Sequence, residues 1–270
     1  MIGQVTLPGT PIRVSRLSFG TASLHHLFSK RDRYALLGAA AEQGITHFDT
    51  SPYYGFGLAE QALGAFLRGH GASLTVATKF GLYPPRLHLP GTLGVWSAKA
   101  LGRVLPELSR PIVDWSLGVA DKSLSRSLRR LDRDCVDILF LHEPRPEWVN
   151  ADEVLRWLDR QKQAGKIRCY GLAGLVEPML PWVEHGNPLA DLVQVKDSLD
   201  DREADPLLER GRKLQLTFGY LTGAQGAGQN DAGHILKEAL ARNGTGSVLF
   251  STRRIDRIRA LVSRIEGSSR

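Results

Sequence analysis

Apolar and polar residues alternate in two rhythms along this chain of 270 residues, and the two rhythms take turns. Short apolar runs with strand character occupy residues 17–22, 45–48, 74–78, 136–141, 167–172, 189–195, 214–218 and 247–250. Each is followed by a stretch of helical period, predicting helices over 31–43, 58–67, 114–131, 152–164, 177–185, 203–212, 232–242 and 255–265. The apolar stripes are explicit. Tyr34, Leu36, Leu37, Ala40 and Ala41 mark the first helix, Leu58, Ala62, Leu63, Phe66 and Leu67 the second, and Ile255, Ile258, Leu261, Val262 and Ile265 the last. Gly165 supplies a stop signal for the helix that ends at Ala164. Ahead of the first strand, residues 5–15 are two short runs around Pro8-Gly9 and predict a hairpin.

Eight strand-helix units in strict alternation predict an α/β fold, a parallel (β/α)8 barrel, in preference to a doubly wound open sheet. The length suits one domain with one large core. One interruption stands out. Residues 81–113 are rich in proline and glycine around Trp96, which predicts short helical pieces in a long segment that is either a functional lid or a partly ordered excursion.

Composition narrows the function classes. With 42% hydrophobic and 23% charged residues and no apolar run long enough for a bilayer, the chain is expected to be cytoplasmic, without membrane partners. The two cysteines, Cys135 and Cys169, lie at the edges of apolar segments and are expected to be reduced, packed thiols. No metal-ligand spacing is present. The net charge of +7 comes mostly from arginine, but the Arg-rich stretches carry interspersed acids, which argues against nucleic acid.

Candidate chemistry collects where strands end. Asp49, Lys79 and His142 close the second, third and fourth predicted strands, and such barrels place their working groups at those ends. Neighbouring strands bring the three together, and Tyr54, five residues after Asp49 and beyond the Pro52 turn, can fold back toward them. A phenol can donate a proton to a carbonyl oxygen. An adjacent ammonium is expected to lower its pKa, a carboxylate to hold that ammonium, and an imidazole to orient the oxygen.

The run Phe48-Asp49-Thr50-Ser51-Pro52-Tyr53-Tyr54-Gly55-Phe56-Gly57-Leu58-Ala59-Glu60, then Thr78-Lys79, then Leu139-Phe140-Leu141-His142 resembles the aldo-keto reductase superfamily over nearly the whole chain. The resemblance implies an NAD(P)(H)-dependent oxidoreductase on a (β/α)8 barrel whose floor is plugged by the N-terminal hairpin. It places Asp49, Tyr54, Lys79 and His142 at the catalytic tetrad. It also implies cofactor contacts from Gly20, Thr21, Asp49, Gln194, Phe218, Gly219, Leu221, Ser251, Thr252, Arg253 and Arg257, with NADP(H) favoured over NAD(H) because hydroxyls and arginines gather near a helix start. Two departures remove hydrogen-bonding groups: Ala173-Gly174 replaces a Ser-Asn pair, and Ala260-Leu261 a Glu-Asn pair.

The substrate expected is a small carbonyl compound or sugar, gripped by Tyr53, Trp96 and Trp148, with Phe56 nearby, on loops at the barrel mouth. The activity implied is reduction of an aldehyde or ketone, with Tyr54 as general acid. Two alternatives stay open. One is an aldose 1-dehydrogenase, suggested by Gly55-Phe56-Gly57-Leu58, and the other a non-catalytic, NADP-binding regulatory subunit. A monomer or small homo-oligomer is expected.

Overall fold

The computed structural model describes residues 2–70, 73–85, 110–222 and 229–267. The chain opens with β1 (Gln4–Thr6) and β2 (Arg13–Ser15), an antiparallel hairpin in which Val5 faces Val14. Then come β3 (Leu17–Gly20), α1 (Lys30–Glu42), β4 (His47–Asp49), α2 (Leu58–Leu67) and β5 (Thr75–Phe80). The excursion begins with β6 (Leu82–Tyr83) and ends with β7 (Ile112–Val113), which pair antiparallel. Alternation resumes with α3 (Leu117–Leu131), β8 (Val136–His142), α4 (Ala151–Gln163), β9 (Ile167–Gly174), α5 (Leu180–Glu184) and β10 (Val193–Lys196). It ends with α6 (Asp205–Glu209), β11 (Leu216–Phe218), α7 (Gln229–Arg242), β12 (Ser247–Phe250) and α8 (Ile255–Gly267).

Strands β3, β4, β5, β8, β9, β10, β11 and β12 close into an all-parallel barrel, β12 pairing back onto β3 through Phe250 and Phe19. This is the (β/α)8 barrel that the alternation predicts. Because side chains alternate along a strand, each strand feeds two cores. Phe19, Phe48, Val76, Leu139 and Leu172 point outward into the layer shared with the helices. Ala77, Ile138, Phe140, Leu216 and Leu249 point inward, where Leu7, Ile12 and Val14 of the hairpin meet them. The hairpin is thus a hydrophobic plug at one end. Burial of each large apolar side chain is worth about 1.5–3 kcal/mol.

Several elements differ from the pattern-based expectation. On α1 the inward positions are 33, 36, 37, 39 and 40, so Arg33 is buried and Tyr34 is exposed, reversing the expected stripe at its first member. The Arg33 guanidinium donates to the Leu27 carbonyl at 2.8 Å, and a long apolar stem lets an arginine occupy such a position. Lys79 lies inside β5, paired with Phe140, instead of just after the strand. The expected strand start at Leu189 is a 3-10 turn, Pro188–Ala190, whose N-cap Asn187 accepts from the Leu189 amide. The helix expected over 177–185 divides into a 3-10 turn, Glu177–Met179, and α5. That expected over 203–212 shortens to α6, bounded by Arg202 and Gly211 at positive φ. Short helical pieces expected in the excursion, with Trp96, lie outside the described residues.

Among the described residues no helix is long and apolar enough to cross a membrane, and no cluster of His, Cys, Asp or Glu could hold a metal ion. Cys135 and Cys169 are free thiols, and burial raises the pKa of both.

Candidate active site

The barrel's carboxyl-end mouth opens into a cavity of about 630 Å3 whose wall includes Asp49, Tyr54, Lys79 and His142. The three strand-end residues meet because β4, β5 and β8 are consecutive in the barrel. Tyr54 reaches them through a tight loop: its amide donates to the Ser51 carbonyl at 3.0 Å, and Gly55, Phe56 and Gly57 follow in left-handed backbone. Gly57 is required there by its φ of 88°, a left-handed backbone that residues with a side chain rarely adopt.

Lys79 is the hub. Its Nζ donates to both Asp49 carboxylate oxygens at 2.6 Å and to the Thr50 carbonyl at 3.0 Å, and lies 3.5 Å from the Tyr54 hydroxyl. Burial opposes the ammonium charge, but the Asp49 carboxylate and Tyr54 outweigh it and hold Lys79 above its ordinary range. Burial pushes the Asp49 carboxyl up, against Lys79 and a hydrogen bond with Gln194. Tyr54 departs from expectation. Lys79 pulls its pKa down, yet burial, reinforced by Asp49, more than cancels that pull and keeps the phenol protonated above its usual range. A protonated phenol is the form that donates.

His142 stands edge-on to the Tyr54 ring, with centroids 5.9 Å apart and planes at 88°. Burial, and then the charge of Lys79, keeps it neutral, its pKa well below the ordinary value. His47, one layer deeper on β4, is fully buried and lowered to about 3 by burial and then Lys79. Its Nδ1 meets the Thr75 hydroxyl at 2.9 Å, while Nε2 has no partner. Because the folded value lies below the unfolded value of about 6.5, the native state binds fewer protons, so stability is complete above that pH and falls as pH drops toward about 3. By pH 5 His47 alone is expected to remove about 2 kcal/mol, with His142 acting in the same direction. Urea unfolding at pH 7.5 and 5 reads this. His47→Gln should flatten the difference by that amount, and an unchanged pH dependence would overturn the assignment.

The structure sorts the other expected residues. Gly20, Gln194, Phe218, Gly219, Leu221, Ser251 and Arg257 line the cavity. The buried Gln194 Oε1 is unpaired, Gly219 sits at φ 111° on the wall, and the half-buried Arg257 has no carboxylate partner among the described residues and an unpaired Nε. An amide acceptor, an open backbone and an arginine Nε without a partner along this wall fit a nicotinamide dinucleotide. Ala173 and Gly174 line the same wall without side-chain donors.

Thr21 and Thr252 do not line the cavity. The Thr21 hydroxyl donates to the Asp49 carbonyl at 3.0 Å, and the Thr252 hydroxyl accepts from the Arg254 amide at 3.2 Å. Arg253 is exposed and also off the cavity wall. Two of the expected aromatic grips, Tyr53 and Trp148, do not line it either, and the third, Trp96, lies outside the described residues. Tyr53 packs toward Phe56, and the exposed Trp148 lies under Arg145, 5.1 Å from ring to guanidinium. Sequence reasoning missed Ser23, His26, Thr222 and above all Glu143, which follow strands and give the wall a polar character. The signal for Glu143 was its place directly after the strand-end His142.

A parallel barrel thus carries a buried lysine-carboxylate pair, a phenol and an imidazole together at one mouth. Residues 16–212 match the model of the Aldo/keto reductase family, and the chain belongs to that family. It is 32% identical over 179 residues to L-galactose dehydrogenase of Arabidopsis thaliana, covering 63% of this chain and 47% of that protein. It is 29% identical over 177 residues to the aldo-keto reductase yakc of Schizosaccharomyces pombe, whose name specifies NADP(+), covering 64% and 44%. The chain spans about half the length of these relatives. An aldo-keto reductase from Bacillus halodurans, solved in its holo form, shares the fold with a TM-score of 0.77 at 20% identity, over 98% of this chain and 91% of that one.

Proposed function

We infer that this chain reduces a small, hydroxylated aldehyde or ketone with NADPH. The observation that carries the reading is the buried line Asp49–Lys79–Tyr54 ending in a phenol on the cavity wall. When bound, the nicotinamide supplies the hydride to the carbonyl carbon. Tyr54 gives its proton to the oxygen, Lys79 stabilises the phenolate left behind, and Asp49 keeps Lys79 charged and in place. Neutral His142 orients the oxygen by donating to it. Gln194 would hold the nicotinamide's carboxamide, Phe218 would offer a face to its ring, and Gly219 would let the backbone approach it.

The polar wall of Ser23, His26, Glu143 and Thr222 supports a substrate with hydroxyl groups, since it offers them hydrogen-bonding partners. The same groups serve the reverse reaction, and the name of the Arabidopsis relative favours a sugar 1-dehydrogenase as the second reading. Initial rates in both directions, on hydroxyaldehydes and on aldoses, separate the two. Faster NADP(+) reduction by aldoses at neutral pH would move the assignment to the dehydrogenase, and tight nucleotide binding without turnover would move it to a regulatory subunit.

NADPH is favoured because Arg257 is a half-buried guanidinium on the cavity wall with no carboxylate partner among the described residues, and a 2′-phosphate would supply one. Partial exposure screens the pair, so Arg257→Ala is expected to weaken NADPH about tenfold, ~1.4 kcal/mol, and NADH hardly at all. Calorimetric titration with both nucleotides checks it. Equal losses would show that the arginine recognises no phosphate.

A further inference from the structure

The wall of the cavity has a support that the proposed reaction has not yet used. Asp49, Thr50 and Ser51 are consecutive, and each holds one working group: the Asp49 carboxylate and the Thr50 carbonyl accept from Lys79, and the fully buried Ser51 hydroxyl lies 3.3 Å from His142 Nδ1. We propose that Ser51 is a positioning residue that fixes the tautomer of His142, placing its single ring proton on Nε2, toward the cavity.

The hydrogen count carries the assignment. A serine hydroxyl has one hydrogen to give and can accept others. The Tyr53 amide already donates to Ser51 Oγ at 3.2 Å, so the oxygen is occupied as an acceptor. Its own hydrogen then goes to Nδ1, the only other polar atom in contact with that oxygen among the described residues. Were Nδ1 protonated instead, Ser51 would accept twice and its own buried hydrogen would have no acceptor. That tautomer would also turn a bare Nε2 lone pair toward a substrate oxygen, where it repels. With the hydroxyl donating, Nδ1 is the acceptor and Nε2–H is the donor. No protein group among the described residues engages Nε2, and His142 lines the cavity. The backbone makes the support rigid, because Pro52 follows Ser51 and the Tyr54 amide closes the turn onto the Ser51 carbonyl.

The catalytic consequence rests on the carbonyl-reduction reading, but the tautomer does not, and the experiment keeps them apart. Nitrogen-15 correlation spectra of the histidine rings in the full chain near neutral pH, with His142 assigned by its loss in His142→Asn, are expected to show the Nε2–H pattern. In Ser51→Ala that pattern should give way to the Nδ1–H form or a mixture, with kcat lower by about tenfold to a hundredfold and nucleotide affinity unchanged. Ser51→Thr, which keeps the hydroxyl, should restore the Nε2–H pattern and most of the rate. A wild-type ring in the Nδ1–H form, or a Ser51→Ala protein with unaltered tautomer or unaltered kcat, would overturn the proposal. Absence of turnover on every carbonyl in the wild type would sink the reductase reading while the spectra still decide the tautomer.

Discussion

Tyr54→Phe is expected to lower kcat by about 10²–10⁴-fold, the range of a lost general acid, while NADPH affinity stays within a factor of about two. The substitution removes one oxygen and keeps the ring, so the edge-on contact with His142 survives. Lys79 also keeps its stronger partners, since both Asp49 oxygens at 2.6 Å and the Thr50 carbonyl at 3.0 Å hold it without help from the phenol at 3.5 Å. The loss therefore reports on proton donation and not on collapse of the site. Single-turnover hydride transfer should fall with kcat, because an oxygen without a proton source makes the carbonyl a poor acceptor. Equal rates for the two proteins would remove Tyr54 from the mechanism.

The three strand-end groups were legible because a barrel converts sequence order into spatial order: a polar residue closing an apolar run must emerge at the mouth, and adjacent units become adjacent walls. What the pattern does not give is the direction of a side chain within a loop. Thr21 and Thr252 stand where a motif expects cofactor contacts, yet their hydroxyls satisfy local backbone groups, Thr252 an amide beside the start of α8 and Thr21 the carbonyl of Asp49. Local hydrogen bonds of this kind compete with any ligand. Trp148 illustrates the same limit for aromatics, since a cation stacked on its face keeps it at the surface. Arg33 and Tyr34 exchange places because helical period is resolved only to about 100° per residue, and a long apolar stem on the arginine satisfies the inner position. The raised Tyr54 pKa was illegible for a different reason: sequence shows which charges are near, and burial decides how much each counts.

Arg242→Ala is expected to cost about 3 kcal/mol of unfolding free energy and to weaken nucleotide binding without touching the cavity wall. Arg242, at the end of α7, donates from Nε and Nη2 to the two carboxylate oxygens of Asp197 at 2.7 and 3.0 Å, and Nη2 also reaches Asp205 at 2.7 Å. Asp197 is fully buried, so removing the guanidinium leaves a desolvated carboxylate whose remaining donors are the Tyr220 hydroxyl at 2.5 Å and the Ala204 amide at 3.0 Å. Those two bonds hold the cost below that of a wholly orphaned charge. The link to the site runs through the backbone, because the Asp197 amide donates to the Phe218 carbonyl at 2.8 Å and Tyr220 anchors the far side of Gly219. Phe218 and Gly219 are the residues that would face the nicotinamide, so a loosened Asp197 should raise the KM for NADPH more than it lowers kcat. Asp197→Asn supplies the decisive comparison: in that background the buried charge is already gone, and Arg242→Ala should cost only about 1 kcal/mol more in urea titrations. Strictly additive losses from the two substitutions would mean that the pair does not couple, and that some other contact of Arg242 accounts for its effect.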